Sequence, residues 1–196
     1  MQAHSTDPSH PPPAAYAGCI ALVGLPGCGK STLGRQLARR LRAGFVDADH
    51  VIETRIGCTI RDFFTREGEV RFRDIEQVVI DELTRDFRGI LATGGGAVLR
   101  EANRRALAER TAVVYLRTHP DELYRRLRND TARPLLQTGN PLERLHELYQ
   151  ARDGFYRQTA AFVVDTGRHS SHRLVNMILM QLELAGAIAP QQTTIG

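Results

Sequence analysis

The residues with the clearest chemical meaning lie in the segment 24–32, which reads GLPGCGKST. This segment follows a short apolar run, precedes a helix-like stretch and matches the pattern G-x-x-x-x-G-K-[ST]. Its glycines let backbone N–H groups surround phosphate oxygens, and the following helix adds the positive end of its dipole. Lys30 would bridge nucleotide β- and γ-phosphates, and the Ser31 hydroxyl would bind Mg²⁺. A glycine-rich turn before an ordinary helix is the alternative, but the spacing and the position of Lys30, the only lysine in the chain, favour a phosphate-binding loop.

Two aspartates follow the next apolar run, in the sequence FVDAD at residues 45–49. Residues two apart in an extended segment point the same way, so Asp47 and Asp49 could both face the crevice at the carboxyl ends of the strands. One carboxylate would then lie near Mg²⁺ and the other near an acceptor hydroxyl. The third apolar run does not end in an acidic residue, so Asp47 would have to make the Mg²⁺ interaction. The residues alone leave open that Asp49 only caps a helix beginning at His50.

Two further segments carry weaker signals. Arg73 and Glu76 are three apart on a predicted helix, where a glutamate can hold a guanidinium that binds a carboxylate or phosphate. An ordinary surface ion pair would look identical in sequence. The run TGGGA at residues 93–97 indicates backbone that approaches a ligand closely, with a flexible turn as the alternative.

A loop at residues 133–140, RPLLQTGN, lies between two predicted helices, and the second helix carries Arg144 and Arg152. Phosphoryl transfer develops charge on the γ-phosphate and competes with attack by water. A mobile segment that brings in Arg133 and excludes solvent would meet both needs. We therefore predict a lid at about residues 129–141.

The elements that must position these residues follow from the hydrophobic pattern. Short apolar runs alternate with longer amphipathic segments, which is typical of parallel strands joined by crossover helices. Strands are predicted at residues 19–23, 44–46, 89–92, 112–116 and 161–164. Helices are predicted near residues 30–42, 67–85, 101–109, 120–128, 141–159 and 170–185. The predicted fold class is therefore α/β, with a five-stranded parallel sheet flanked by helices.

Length and composition indicate one globular domain, because the 196 residues are 42% hydrophobic and 24% charged. We predict a disordered extension at residues 1–17, which holds prolines at 8, 11, 12 and 13, a domain at 18–185 and a flexible tail at 186–196. No apolar run approaches the roughly 18 residues of a membrane span. The extension also lacks the apolar core of a secretory signal.

The charged residues and the cysteines indicate which class of partner and which cellular compartment to expect. All but one of the 26 basic residues are arginines, mixed with acids to a net charge of +4. No basic stripe is interleaved with aromatics, which argues against a nucleic-acid partner. Cys19, Cys28 and Cys58 have unrelated spacings, which indicates a reducing, cytoplasmic compartment and no structural metal. No predicted helix carries a surplus apolar stripe, so we expect a monomer whose partner is a small molecule rather than nucleic acid or a membrane.

Taken in order, the segments GLPGCGKST, FVDAD, FRDIE, TGGGA, RPLL and QARDGFY resemble the shikimate kinase family over about residues 18–184. The resemblance implies a three-layer P-loop kinase fold of the nucleoside-monophosphate-kinase type, with sheet order 2-3-1-4-5. It implies the phosphorylation of the 3-hydroxyl of shikimate, the fifth step toward chorismate and the aromatic amino acids. ATP and Mg²⁺ are the cofactors that it implies.

The resemblance also assigns roles on the nucleotide side. Ser31 and Asp47 would serve Mg²⁺ directly or through water. Arg133 would be the lid arginine on the phosphates and, with Lys30 and Asp49, would form the catalytic set. The residues that would bind ATP are Gly27, Cys28, Gly29, Lys30, Ser31, Thr32, Arg126, Arg133 and Arg168, with His169 as the alternative to Arg168.

On the acceptor side, the resemblance implies that Asp49 holds the shikimate hydroxyls and acts as the candidate base. Arg73 and Arg152 would bind the shikimate carboxylate, and Glu76 would orient Arg73. The backbone N–H groups of Gly95 and Gly96 would complete the shikimate site.

Two other functions share parts of this pattern. A kinase for another small hydroxy acid, such as gluconate, would keep the same ATP chemistry. A nucleotide- or ligand-sensing kinase-like module would bind without turnover. Screening of acceptors separates these functions from shikimate phosphorylation.

Overall fold

The sheet consists of five parallel strands that all end at the same edge. The computed structural model describes residues 18–127 and 140–189. Outside the described residues lie the predicted extension, residues 129–139 of the predicted lid with Arg133, and residues 190–196 of the predicted tail. The strands are β1 (Cys19–Val23), β2 (Gly44–Asp47), β3 (Gly89–Ala92), β4 (Ala112–Arg117) and β5 (Phe162–Asp165). Their spatial order is β2-β3-β1-β4-β5, so the predicted α/β class and strand order are confirmed.

Helices cover both faces of this sheet. They are α1 (Lys30–Leu41), α2 (Ala48–Ile56), α3 (Ile60–Asp86), α4 (Glu101–Arg110), α5 (Pro120–Leu127), α6 (Pro141–Thr159) and α7 (Ser171–Leu184). Side chains alternate along β1, so Ala21 and Val23 pack toward α3 to α6, while Ile20 and Leu22 pack toward α1 and α7. Two apolar layers therefore enclose a sheet whose central strands are buried on both faces.

The region after β2 differs from its sequence prediction. Asp47 ends the strand and caps α2, because its carboxylate accepts a hydrogen bond from the Asp49 backbone N–H at 3.2 Å. Asp49 therefore lies in the first turn of a helix, and neither the extended geometry nor the alternative of Asp49 as the cap is correct. Helix α2 was not among the predicted helices, and only the alternative of a helix beginning at His50 pointed to it, because α2 is short and buries only Ala48 and Ile52.

Helix α3 begins earlier than the predicted helix at 67–85. Gly68 has φ 80° and ψ 171°, which breaks the helical path and separates residues 60–67 from the longer part that follows. Such a left-handed φ is accessible to glycine at no steric cost. The first part contributes Phe63 to an apolar cluster with Ile52 of α2, and this cluster holds α2 and α3 together beside the end of β2.

The packed domain extends beyond α7 into the segment predicted as a tail. The Ala187 N–H donates to the Leu182 carbonyl at 2.8 Å, and Ile188 is buried against the α1 and α7 layer. No helix within residues 18–127 and 140–189 is both long and apolar enough to cross a membrane.

Two glycines in helices predict opposite effects of adding a methyl group. A Cβ at Gly34 of α1 would lie 2.6 Å from the Phe45 ring, whereas one at Gly154 of α6 would meet no atom within 4 Å. We expect Gly34→Ala to lower the free energy of unfolding by about 1 to 2 kcal/mol through overpacking. Gly154→Ala should raise it by about 0.5 to 1 kcal/mol through helix propensity. Urea denaturation measures both, and stabilisation by Gly34→Ala would contradict the close α1–β2 packing.

Candidate active site

The loop between β1 and α1 wraps around the side chain of its own lysine. Lys30 is only 8% exposed, and its Nζ donates to the carbonyl oxygens of Gly24 at 2.8 Å and Leu25 at 3.0 Å. Gly27 and Gly29 have φ values of 83° and 101°, which turn the loop toward the start of α1. The third N–H of the ammonium has only a weak acceptor, Cys28 Sγ at 3.8 Å, which a phosphate oxygen could replace.

Oxygen ligands for a cation converge beside this loop. Ser31 Oγ donates to Asp47 Oδ2 at 2.6 Å, and Asp47 Oδ1 accepts from the Asp49 N–H. A hydroxyl and a carboxylate oxygen suit Mg²⁺, which usually keeps several waters and phosphate oxygens as further ligands. Across residues 18–127 and 140–189, no group of three or more His, Cys, Asp or Glu side chains is placed to hold a metal ion. A cation beside the loop would therefore need waters or phosphate oxygens as further ligands.

Two adjoining cavities lie at the carboxyl ends of the strands. One, of about 340 Å³, is lined by the phosphate-binding loop, Asp47 and Asp49; the other, of about 540 Å³, is lined by α3, the glycine triplet and α6. Pro26, Asp49 and Gly95 line both cavities. Asp49 is therefore the one titratable side chain that the two cavities share among the described residues.

The surroundings of Asp49 change its protonation. Burial, and next the neighbouring charge of Asp47, raise the pKa of Asp49 from 3.8 to about 6, while Lys30 opposes the change. Above pH 6 the group is mainly a carboxylate, but one with a much higher proton affinity than an exposed aspartate. Such a group is suited to accept a proton from an alcohol near neutral pH.

A guanidinium held by carboxylates forms the far wall of the larger cavity. Arg73 Nη1 donates to Glu76 Oε2 at 2.7 Å, and Arg73 Nε and Nη2 donate to Glu69 Oε1 at 3.1 and 2.9 Å. The Glu76 side chain is 2% exposed, and burial raises its pKa although Arg73 opposes this. The Arg73 guanidinium also lies over the Phe72 ring, with 5.2 Å from Cζ to the ring centroid. Arg73 is therefore held by two carboxylates along its edges and by an aromatic ring on one face.

The glycine triplet after β3, Gly94 to Gly96, lines the larger cavity. A Cβ at Gly94 would lie 2.5 Å from Asp49 Oδ1, one at Gly95 would lie 2.7 Å from the Pro26 ring, and one at Gly96 would overlap the Arg73 guanidinium. Each glycine is thus required by the close approach of a different side chain of the site.

Helix α6 attaches to this triplet through one carbonyl. Gly95 O accepts hydrogen bonds from Arg152 Nη1 at 3.1 Å and from the Tyr156 hydroxyl at 2.6 Å. Tyr156 is fully buried, and burial raises its pKa, so that its hydroxyl stays a neutral donor. Arg152, predicted from sequence, lines the same cavity as Arg73.

Several residues of the site were not predicted. Tyr156 stood within the segment QARDGFY, and Phe72 stood within FRDIE, but neither carried a role. Phe64 and Phe72 pack with ring centroids 4.5 Å apart and line the larger cavity together with Glu69. The sequence signal that could have indicated this pair was two phenylalanines placed on either side of Gly68, each four residues from it.

The predicted adenine contacts lie apart from the two cavities. Arg126 donates to the carbonyl oxygens of Thr166 and Gly167, in the turn that follows β5, and Arg168 is exposed in the same turn. Neither arginine lines the phosphate cavity. Arg133 lies outside the described residues.

Comparisons with known proteins agree on one family. The shikimate kinase family model matches residues 26–183. A shikimate kinase of Paracidovorax citrulli is 56% identical over 174 residues, which cover 87% of this chain and 95% of that protein. The structure of the Acinetobacter baumannii shikimate kinase in complex with shikimate has 43% identity and a TM-score of 0.81, and the match covers 88% of this chain and 96% of that one.

A gluconokinase of Sinorhizobium meliloti shares only the fold with this chain. It has 17% identity and a TM-score of 0.53 over 88% of this chain and 95% of its own. The family match, the identity across nearly the whole length of the relatives, and the two-cavity geometry lead to one conclusion: this chain belongs to the shikimate kinase family.

Proposed function

We propose that this protein transfers the γ-phosphoryl group of Mg-ATP to the 3-hydroxyl of shikimate. The observation that carries the proposal is the meeting of the phosphate cavity and the larger cavity at Asp49. In-line transfer needs donor and acceptor in adjoining pockets with a proton acceptor between them. Family membership and the shikimate-bound Acinetobacter relative support shikimate as the acceptor.

On the donor side, Gly27 to Thr32 would surround the phosphates of ATP, and Lys30 would turn the N–H that now meets Cys28 Sγ toward them. Ser31 and Asp47 would hold Mg²⁺, which neutralises phosphate charge when it is bound. Arg126 and either Arg168 or His169 would contact adenine, and Arg133 would supply a further charge from the lid.

On the acceptor side, the cavity matches the chemistry of shikimate, an apolar ring face with a carboxylate and hydroxyls. Arg73 and Arg152 would bind the carboxylate, and Phe72 would pack against the ring. Asp49 would bind the hydroxyls and accept the proton of the attacking one. Gly95 and Gly96 would contribute backbone N–H groups beside this acceptor.

The proposed function predicts ADP release that depends on the acceptor. We expect release from Mg-ATP with shikimate, and background release with gluconate or with no acceptor. Asp49→Asn should abolish the shikimate-dependent release because it removes the proton acceptor, whereas the control Asp86→Asn, an exposed residue at the end of α3, should retain it. If gluconate stimulates release and shikimate does not, the assignment of shikimate as the acceptor is wrong. If no acceptor stimulates release although ATP binds, the protein is a ligand-sensing module rather than a kinase.

Removal of the loop lysine predicts a loss of turnover. Lys30→Met should lower kcat by about 10² or more, because it removes a preorganised charge aimed at the transferring phosphate. Arg39→Met, an exposed charge on α1, is the matched control and should leave kcat unchanged. Steady-state kinetics with circular dichroism as a check on folding measures both. Undiminished kcat in Lys30→Met would contradict the donor-side assignment.

The raised pKa of Asp49 predicts a pH-dependent difference in stability. A folded-state pKa above the unfolded value stabilises the protein below about pH 4, and this stabilisation is lost as the pH rises through about 6. The shift corresponds to at most about 3 kcal/mol. Asp49→Asn should therefore gain up to this amount in free energy of unfolding relative to the parent protein between pH 4 and pH 8, without ligands. Urea titrations across this range test the prediction, which a constant difference would contradict.

A further inference from the structure

Arg73 and Glu69 both line the larger cavity, and Glu69 occupies one edge of the Arg73 guanidinium. Glu69 Oε1 accepts from both Nε and Nη2, which form one of the two-donor edges of the guanidinium. Glu76 occupies only Nη1. An arginine binds a carboxylate best through two parallel N–H donors, so an incoming carboxylate that binds the Nε–Nη2 edge would have to displace Glu69.

The two glutamates differ in how firmly they are placed. The Glu76 side chain is 2% exposed, whereas that of Glu69 is 59% exposed and lines the cavity. Glu69 directly follows Gly68, where α3 is broken, and a Cβ at Gly68 would meet no atom within 4 Å. Glu69 can therefore swing into solvent, while Glu76 cannot.

The guanidinium itself would stay in place if Glu69 left. Glu76 would still hold Nη1, and the Phe72 ring would still lie under Cζ. The charge balance also favours exchange, since Arg73 alone contacts two carboxylates. If a substrate carboxylate replaced Glu69, Arg73 would still contact two carboxylates.

We propose that Glu69 is an internal stand-in for the substrate carboxylate, which holds the Nε–Nη2 edge of Arg73 in the empty site and is displaced when the acceptor binds. Glu69 is then a positioning residue that weakens acceptor affinity by competition. This inference rests on the proposed function, because it takes Arg73 as the carboxylate-binding residue.

The test compares two glutamate variants. Glu69→Gln keeps the shape but removes the competing charge, so the Kd of shikimate by calorimetry and the KM of shikimate should fall about two- to fivefold, with kcat unchanged. Glu67→Gln is the matched control, because this substitution changes the net charge equally. Glu67 pairs with Arg71 at 3.4 Å in the same helix. We expect no change in either constant for this control. A rise or no change with Glu69→Gln, or an equal fall with Glu67→Gln, would overturn the proposal.

A second background separates this inference from the proposed function. Arg73→Ala should raise the KM of shikimate, and Glu69→Gln added to Arg73→Ala should produce no further fall. If Arg73→Ala leaves KM unchanged, the carboxylate-binding role of Arg73 in the proposed function is wrong. If Arg73→Ala raises KM but the fall with Glu69→Gln persists in the double variant, only the stand-in role is wrong.

Discussion

The close approach of three side chains to the glycine triplet is the constraint on which the site depends. Asp49 of α2, Pro26 of the loop and Arg73 of α3 each occupy the space that a Cβ on one of the three glycines would fill. Gly95 O then receives Arg152 and Tyr156 of α6. Four separate elements are thereby fixed against the end of one central strand. A methyl group added to Gly94 or Gly95 would displace a residue that lines both cavities.

This arrangement also determines how buried charge is tolerated. Lys30 is satisfied by loop carbonyls, and Glu76 is satisfied by Arg73, so neither is left without a partner where burial is costly. Asp49 is the exception, because its carboxylate accepts no hydrogen bond from any described residue and its pKa is raised. An incompletely satisfied carboxylate costs stability, and under the proposed function it would meet an acceptor hydroxyl, a compromise typical of functional sites.

The sequence predicted the sheet well because its strands are short apolar runs buried on both faces, and their order was implied by the family resemblance. Helix α2 and the first part of α3 escaped prediction because each buries too few residues for a clear helical period. The role of Tyr156 could not be predicted, since its partner Gly95 is 61 residues away and only the fold joins them. Arg73 and Glu76 could be predicted as a pair because helical spacing alone brings them together.

The two aspartates of FVDAD show how a correct expectation can rest on the wrong local geometry. They were expected to converge as alternate residues of a strand, yet α2 begins between them. The helix start engages both oxygens of Asp47, one with the Asp49 N–H and one with Ser31. The same turn carries the Asp49 side chain to the boundary of the two cavities, where its oxygens accept no hydrogen bond from residues 18–127 or 140–189. One helix N-terminus therefore gives two identical side chains different chemistry: the carboxylate fixed by two donors suits a cation beside the phosphates, and the other suits a proton.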